Sequence, residues 1–156
     1  MKVDFVGNKI PVGLKQKIKR AVLLSMAHLG QDDKVLNLTV NFIDAEQMKE
    51  LNNRTRKIDN VTDVLSYPNI EIKPFDLIDV KDESLFVGKY IYLGDMAICL
   101  ERAKEQADEY GWSLDEEVVK LVIHSVLHLM GFDHIQDKDF EIMNKQEQEI
   151  ANKFYK

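Results

Sequence analysis

Three of the four histidines of this chain lie in one short stretch, HSVLHLMGFDH, which runs from His124 to His134. His124 and His128 are four residues apart, so on a helix they project from one face, about 40° from each other. Gly131 can adopt the left-handed conformation that ends a helix, and the chain can then turn back and bring in His134. Three neutral imidazoles, with a fourth position left to water, describe an open catalytic zinc site. The spacing therefore predicts that His124, His128 and His134 bind one metal ion, with a closed structural zinc site or a helix without metal as the alternatives.

The residue after the first histidine bears on the kind of chemistry. Zinc peptidases with a similar histidine spacing carry a glutamate there, which acts as the general base. This chain has Ser125 at that position, and a serine has no carboxylate that could take a proton from water. The peptidase interpretation therefore loses its central group.

Length and charge limit the classes of protein that fit. The 156 residues, 45% hydrophobic and 31% charged, predict one domain spanning residues 1–156. A net charge of −6 argues against a general nucleic-acid coating protein, which is usually basic. A local basic groove remains compatible with it, and Arg54, Arg56 and Lys57 form one basic cluster.

Several features favour a cytoplasmic protein with no membrane partner. No apolar run reaches the roughly 18–20 residues of a membrane-spanning helix, and the first residues lack the apolar core of a signal peptide. The lone Cys99 excludes an internal disulfide, and its apolar surroundings predict a buried thiol.

Hydrophobic periodicity predicts an α+β fold, in which the strands pack with about five helices. The clearest strand is 35–43, where apolar and polar residues alternate. The helix that carries the histidines begins at a capping box of Ser113 and Glu116 and is apolar almost all round, which predicts that it is buried. Residues 69–88 read as a surface insertion between two strands. Asp137 is predicted to cap a last helix whose inward stripe is Phe140, Met143, Ile150 and Phe154.

His28, the fourth histidine, lies near the end of the predicted first helix. A cation suits the helix dipole there. It is predicted to be a cap or surface residue and not a metal ligand.

Three blocks of sequence together resemble the YbeY family of metal-dependent endoribonucleases, bacterial factors in ribosomal RNA maturation. The first is LNNRTR at 51–56 followed by TDVLSYP at 62–68, the second is LGDMAI at 93–98, and the third is the histidine stretch. The serine after the first histidine agrees with this family. The resemblance covers roughly residues 36 to 134 and implies a small mixed sheet packed with helices.

The resemblance also implies an activity: zinc-dependent, single-strand-specific cleavage of RNA in ribosomal RNA processing, including maturation of the 3′ end of the small-subunit rRNA, and in ribosome quality control. It assigns the metal ligands to His124, His128 and His134 and the active-site arginine to Arg56. The expected cofactor is one Zn²⁺ per chain, which Ni²⁺ or Co²⁺ could replace at a three-histidine site. The expected partners are single-stranded RNA, ribosomal RNA in particular, and ribosome-associated proteins.

Two other functions fit the histidines. A zinc metallopeptidase or similar hydrolase would need a carboxylate within reach of the bound water. A non-catalytic ribosome assembly factor that uses zinc structurally would have all four coordination positions filled.

Overall fold

A computed structural model describes residues 1–7, 9–56 and 62–156 of the chain, with Arg56 described by its backbone alone. Its strands are β1 Lys2–Val6, β2 Leu36–Ile43, β3 Val64–Pro68, β4 Phe86–Val87 and β5 Tyr90–Cys99. Its α-helices are α1 Leu14–His28, α2 Ala45–Arg56, α3 Leu100–Tyr110, α4 Leu114–Leu129 and α5 Asp137–Tyr155. The predicted α+β class, with a mixed sheet and five helices in the described residues, is confirmed.

The sheet has the strand order β1-β2-β5-β3, and β4 pairs with the start of β5. β1 and β5 lie parallel to β2, while β3 and β4 lie antiparallel to β5. The alternation that predicted β2 is the burial pattern of the strand, with Leu36, Leu38 and Val40 fully buried. Because β3 ends the order, it is an edge strand of the described sheet. That position tolerates Pro68, which has no N–H to donate.

The helix that carries the first two histidines, α4, lies in the core of the fold. It contacts α1, α3, α5, β3 and β5. Its capping box forms as predicted: the Ser113 hydroxyl accepts from the Glu116 N–H at 3.1 Å, and the Glu116 carboxylate accepts from the Ser113 N–H at 3.4 Å. The apolar residues all round the helix are buried, among them Val118, Val122 and Val126. The predicted burial of α4 is confirmed.

The segment between β3 and β5 is mostly irregular, with a 3-10 turn at Glu83–Leu85 before β4. It does more than cover the surface, because part of it packs on the turn after α4. The rings of Phe75 and Phe132 meet edge to face with centroids 5.0 Å apart. A Cβ on Gly131 would overlap the carbonyl oxygen of Ile72. The insertion therefore supports the chain just before His134.

Three details of the prediction near the C-terminal helix are wrong. The N-cap of α5 is Gln136, which makes no side-chain cap, and Asp137 is the first helical residue. Phe140 is 56% exposed, whereas Met143, Ile150 and Phe154 are buried as predicted. The first turn of α5 lies outside the core, so Phe140 is exposed. Farther along the helix the apolar stripe is buried, and Gln146 is buried there as well.

The third detail is His28, which is neither a cap nor a surface residue. Its side chain is 10% exposed. Nε2 lies 2.7 Å from Oε1 of Gln146, and Lys153 Nζ lies 2.8 Å from Nδ1. Oε2 of Glu149 also lies 3.4 Å from Nε2. His28 therefore joins α1 to α5, because three residues of the last helix reach back to it.

The predicted burial of Cys99 is confirmed. It packs with Met48, Leu65 and Ala97 between α2 and the sheet. This burial raises the pKa of the Cys99 thiol. No helix in the described ranges is both long and apolar enough to cross a membrane.

Candidate metal centre

The fold brings the three predicted histidines to one point. His124 and His128 lie one turn apart on α4, and their ring centroids are 4.5 Å apart. The ring of His134 lies 5.5 Å from that of His124 and 5.0 Å from that of His128. One nitrogen from each ring lies within 4.8 Å of the others, which is close enough for all three to hold one metal ion.

The turn that carries His134 back is built by local hydrogen bonds. Gly131 N–H donates to the carbonyl of His128 at 3.1 Å, and Phe132 N–H donates to that of Leu127 at 3.0 Å. These two bonds are those of the Schellman motif that ends many helices. Gly131 has φ of 95°, which a residue with a Cβ rarely adopts. The expectation that Gly131 ends the helix is confirmed.

The outer nitrogens of two of the rings face hydrogen-bond acceptors. His124 Nδ1 lies 2.7 Å from Oε1 of Glu147, and His128 Nδ1 lies 2.9 Å from the carbonyl oxygen of Phe132. A carboxylate and a carbonyl can only accept, so each Nδ1 must carry the hydrogen. In the neutral rings, both Nε2 atoms then present lone pairs.

Those two lone pairs point at each other, since Nε2 of His124 and Nε2 of His128 lie 3.0 Å apart. A shared proton would relieve the repulsion, but one ring would then have to be charged. Burial, and next the neighbouring His124, lower the pKa of His128 to about 4, so its ring is neutral near pH 7. A cation bound by both nitrogens satisfies them without a charged ring. The donor set therefore fits a metal ion.

The three rings open onto a groove of about 570 Å³ between β3 and α4. Besides the histidines, its walls carry two carboxylates and one ammonium, from Asp63, Asp133 and Lys120. In the ranges the structure describes, no fourth His, Cys, Asp or Glu joins the cluster of three. A metal ion held there would face the groove.

Ser125 does not take part in this groove. It is fully buried, and its hydroxyl lies 2.7 Å from that of Ser66 on β3. The position that carries the general base in zinc peptidases therefore faces the sheet. Asp63 supplies one of the carboxylates that line the groove. With the Gln106 amide oriented so that its nitrogen faces the two carboxylates, Gln106 donates to Asp63 and to Glu117.

The predicted basic cluster is only partly visible. α2 ends at Arg56, but the side chain of Arg56 and all of Lys57 lie outside the described residues. Arg54 is exposed and does not line the groove. The role of Arg56 stays a prediction.

Sequence reasoning missed three residues around the site. Glu147 and the carbonyl of Phe132 orient two of the rings, and Lys120 lines the groove one turn before His124. Lys120 could have been found, because i and i+4 share a helix face. Glu147 follows the buried Met143 by four residues, so the inward stripe of α5 was the available signal for it.

Comparison with known proteins shows which family this chain resembles. The model of the family "Endoribonuclease YbeY" matches residues 5–155. The Endoribonuclease YbeY of Caldicellulosiruptor saccharolyticus is 40% identical over 134 residues, which cover 86% of this chain and 83% of that protein. The Endoribonuclease YbeY of Clostridium acetobutylicum is 44% identical over 123 residues, 75% of this chain and 74% of the relative.

A solved structure agrees in fold. The solution structure of a Thermotoga maritima protein superposes with a TM-score of 0.59 at 24% identity, covering 98% of this chain and 91% of the other. At that identity, the likeness concerns the fold alone. The family match over residues 5–155 includes all three sequence blocks: the one that leads into β3, the one in β5 and the histidine stretch. The chain belongs to the YbeY endoribonuclease family.

Proposed function

We propose that this protein is a zinc-dependent endoribonuclease that cleaves single-stranded RNA. The observation that carries the proposal is the pair of Nε2 atoms 3.0 Å apart on His124 and His128, each on a ring whose Nδ1 faces an acceptor. His134 completes a set of three nitrogen donors at the floor of an open groove. The activity itself is taken from the relatives named Endoribonuclease YbeY.

The three histidines would hold one Zn²⁺ per chain. Imidazole suits zinc, and a site of three histidines also accepts nickel or cobalt as a substitute. A bound ion of this kind lowers the pKa of a water ligand towards about 7 and polarises a phosphoryl oxygen. The protein's own contribution is to fix the rings: the Glu147 carboxylate and the Phe132 carbonyl hold two of them in one tautomer and one orientation.

Arg56 is the residue that we propose for charge stabilisation at the phosphate. Its guanidinium is permanently charged and can donate two parallel hydrogen bonds to phosphoryl oxygens. Cleavage adds negative charge to those oxygens in the transition state, so a fixed cation there would favour the transition state over the bound substrate. Support for this assignment comes from the family motif LNNRTR, in which Arg56 is the last residue.

Ribosomal RNA is the substrate that we propose, with small-subunit rRNA 3′-end maturation and ribosome quality control as the setting and the cytoplasm as the location. Ribosome-associated proteins are then natural partners. The net charge of −6 fits a protein that binds RNA through contacts with a few phosphates and not through an extended basic surface. We also propose that residues 1–156 form a single domain.

The two rival functions are less well supported. Zinc peptidases with this histidine spacing carry their carboxylate where this chain has Ser125, and that serine is buried against Ser66. The carboxylates that line the groove, Asp63 and Asp133, stand at other positions, and the cleavage test below distinguishes the two hydrolases. A structural zinc site in a non-catalytic assembly factor would need a fourth protein ligand, and the described residues offer only three around this point.

The test is cleavage of one RNA in two forms. A labelled single-stranded oligonucleotide and a hairpin that contains the same sequence in its stem are incubated with purified protein. We expect internal cuts in the single strand and little or no cutting in the stem. Equal cleavage of both forms would overturn the single-strand preference, and cleavage of a casein substrate in place of RNA would favour the peptidase.

A further inference from the structure

A second cavity of about 440 Å³ lies between α4 and α5, beside the groove that holds the histidines. Its walls include the aromatic rings of Trp112 and Tyr155 and the aliphatic side chain of Ile123. Trp112 is 38% exposed and Tyr155 is 57% exposed, so both rings are accessible from solvent. Nothing in the metal site described above requires these aromatic residues.

Two residues connect this cavity to the histidine groove. Lys120 lines both spaces. Glu147 lines the second cavity and accepts the hydrogen bond from His124 in the first. Lys120 and His124 are one helical turn apart on α4, a rise of about 6 Å. The second cavity therefore adjoins the groove at Lys120, towards the N-terminal end of α4.

Contacts with neighbouring residues orient Trp112 and bring the Lys120 cation beside its ring. The Lys120 ammonium lies 5.1 Å from the ring centroid of Tyr110 and 5.3 Å from that of Trp112, within range of cation–π attraction. The indole N–H of Trp112 donates to Oε2 of Glu117 at 2.7 Å, and Glu117 is fully buried. A hydrogen bond to a buried carboxylate fixes the plane of the indole ring.

Cations beside accessible aromatic rings are what single-stranded nucleic acids bind, because bases stack on the rings while the ammonium meets the phosphate. The charges of the second cavity indicate which part of a nucleotide enters it. Glu116 and Glu147 also line it, and their carboxylates would repel a phosphate. They can accept hydrogen bonds from the N–H groups of a base.

We propose that the second cavity is a nucleotide subsite of the RNA groove. One base of the strand stacks on the ring of Trp112, in the cavity whose wall also includes Tyr155. The phosphate that follows this base lies at Lys120, on the side of the cavity towards the histidines. This inference rests on the proposed function, since it takes RNA as the ligand. It adds a binding site for a base next to the cleaved phosphate and explains the preference for a strand whose bases are unpaired.

Trp112 is the single tryptophan of the chain, so the fluorescence of the unmodified protein reports on this cavity. A labelled single-stranded RNA of about ten nucleotides is mixed with the protein in a stopped-flow instrument. Its anisotropy and the tryptophan emission are recorded before cleavage proceeds. We expect the emission to be quenched over the same RNA concentrations at which the anisotropy rises. RNA binding with unchanged emission would overturn the subsite and leave the nuclease proposal intact, whereas a lack of RNA binding would overturn both.

Variants give a second readout. Trp112→Ala should weaken RNA affinity on the order of tenfold, with part of the loss recovered in Trp112→Phe, and metal content should stay unchanged. Lys120→Ala, at an exposed position, should lower the slope of log K against log salt by about 0.7, the value for one phosphate contact. The matched controls are Tyr90→Ala and Lys2→Ala, a ring and an ammonium 5.4 Å apart that line neither cavity. Equal effects in the control pair and the test pair would overturn the proposal.

Discussion

Glu147 on the last helix accepts a hydrogen bond from His124 on the buried helix, with 2.7 Å between Oε1 and Nδ1. The two residues are 23 positions apart in the chain. The carboxylate fixes which nitrogen of His124 carries the hydrogen and therefore which nitrogen is left for a metal. The C-terminal helix thus takes part in the site that the histidine stretch forms.

Removing this carboxylate should weaken metal binding. Glu147→Ala leaves His124 Nδ1 without its acceptor, so the ring can rotate or change tautomer, and we expect metal affinity to fall by about 10- to 100-fold. Glu147→Gln keeps an acceptor oxygen, so its metal affinity should fall less. Competition with a chromophoric zinc chelator measures both affinities. Glu141→Ala, an exposed acid on the same helix, is the control and should bind zinc as the unmodified protein does.

Gly131 should be essential for the turn that positions His134. It has φ of 95°, and a Cβ there would overlap the Ile72 carbonyl oxygen. Gly131→Ala therefore combines backbone strain with a steric clash against the insertion. We expect a clear loss of free energy of unfolding together with weaker zinc binding, measured by urea titration and by chelator competition.

Gly88 separates the two causes. It also has positive φ, at 65°, but a Cβ would meet nothing within 4 Å. Gly88→Ala should therefore cost only the backbone strain, about 1–2 kcal/mol, and leave zinc affinity unchanged. If the two variants lose the same stability, contact with Ile72 does not constrain the turn.

The metal-free protein should lose stability in mild acid because of His128. The folded-state pKa of this residue is about 4, below the ordinary value of 6.5, so the unfolded chain takes up the proton first as the pH falls. The contribution of the neutral ring is then complete above pH 6.5 and is lost as the pH falls through about 4. Urea titrations in the presence of chelator should show a smaller decrease for His128→Gln over this range. Parallel decreases in the two proteins would assign the acid sensitivity to other groups.

The sequence predicted the elements whose pattern is local. The period-two alternation of β2, the capping box at Ser113 and the apolar surface of α4 each need only neighbouring residues, and all three are observed. The histidine cluster follows from the same kind of reasoning, because a helical turn and one glycine bring the three rings together. Such features are determined within about ten residues of chain.

The features that were wrong or missed depend on how the last helix packs. Periodicity shows which face of α5 is apolar, but it does not show where along its length the neighbouring helix begins, so Phe140 was placed inside although it is exposed. The same packing buries His28 against Gln146 and brings Glu147 to His124. Both contacts join residues more than 20 positions apart, which no local pattern specifies.

Arg56 should affect the chemical step more than metal binding. Arg54 and Lys57 keep the local field positive when it is removed, but neither supplies a guanidinium in the same place. Arg56→Ala should therefore retain its zinc and lose on the order of 10²-fold or more in single-turnover cleavage rate. Arg56→Lys should recover little, because an ammonium cannot donate two parallel hydrogen bonds.

Arg54→Ala is the matched control for this variant, since it removes the same charge two residues earlier at an exposed position. Its cleavage rate should stay within a few-fold of the unmodified protein. A normal rate with lost RNA affinity in Arg56→Ala would reduce Arg56 to a binding residue. Equal losses in both variants would assign the effect to general charge.

The most direct test of a histidine-bound ion in RNA cleavage is a zinc titration of the metal-stripped protein, with the cleavage rate of a single-stranded RNA as the readout. We predict no cleavage before zinc is added, a rate that rises linearly and stops at one equivalent per chain, and no recovery in a His124→Ala, His128→Ala double variant. Cleavage by the stripped protein, or by the double variant at the same zinc concentration, would contradict the assignment of the active site to these histidines.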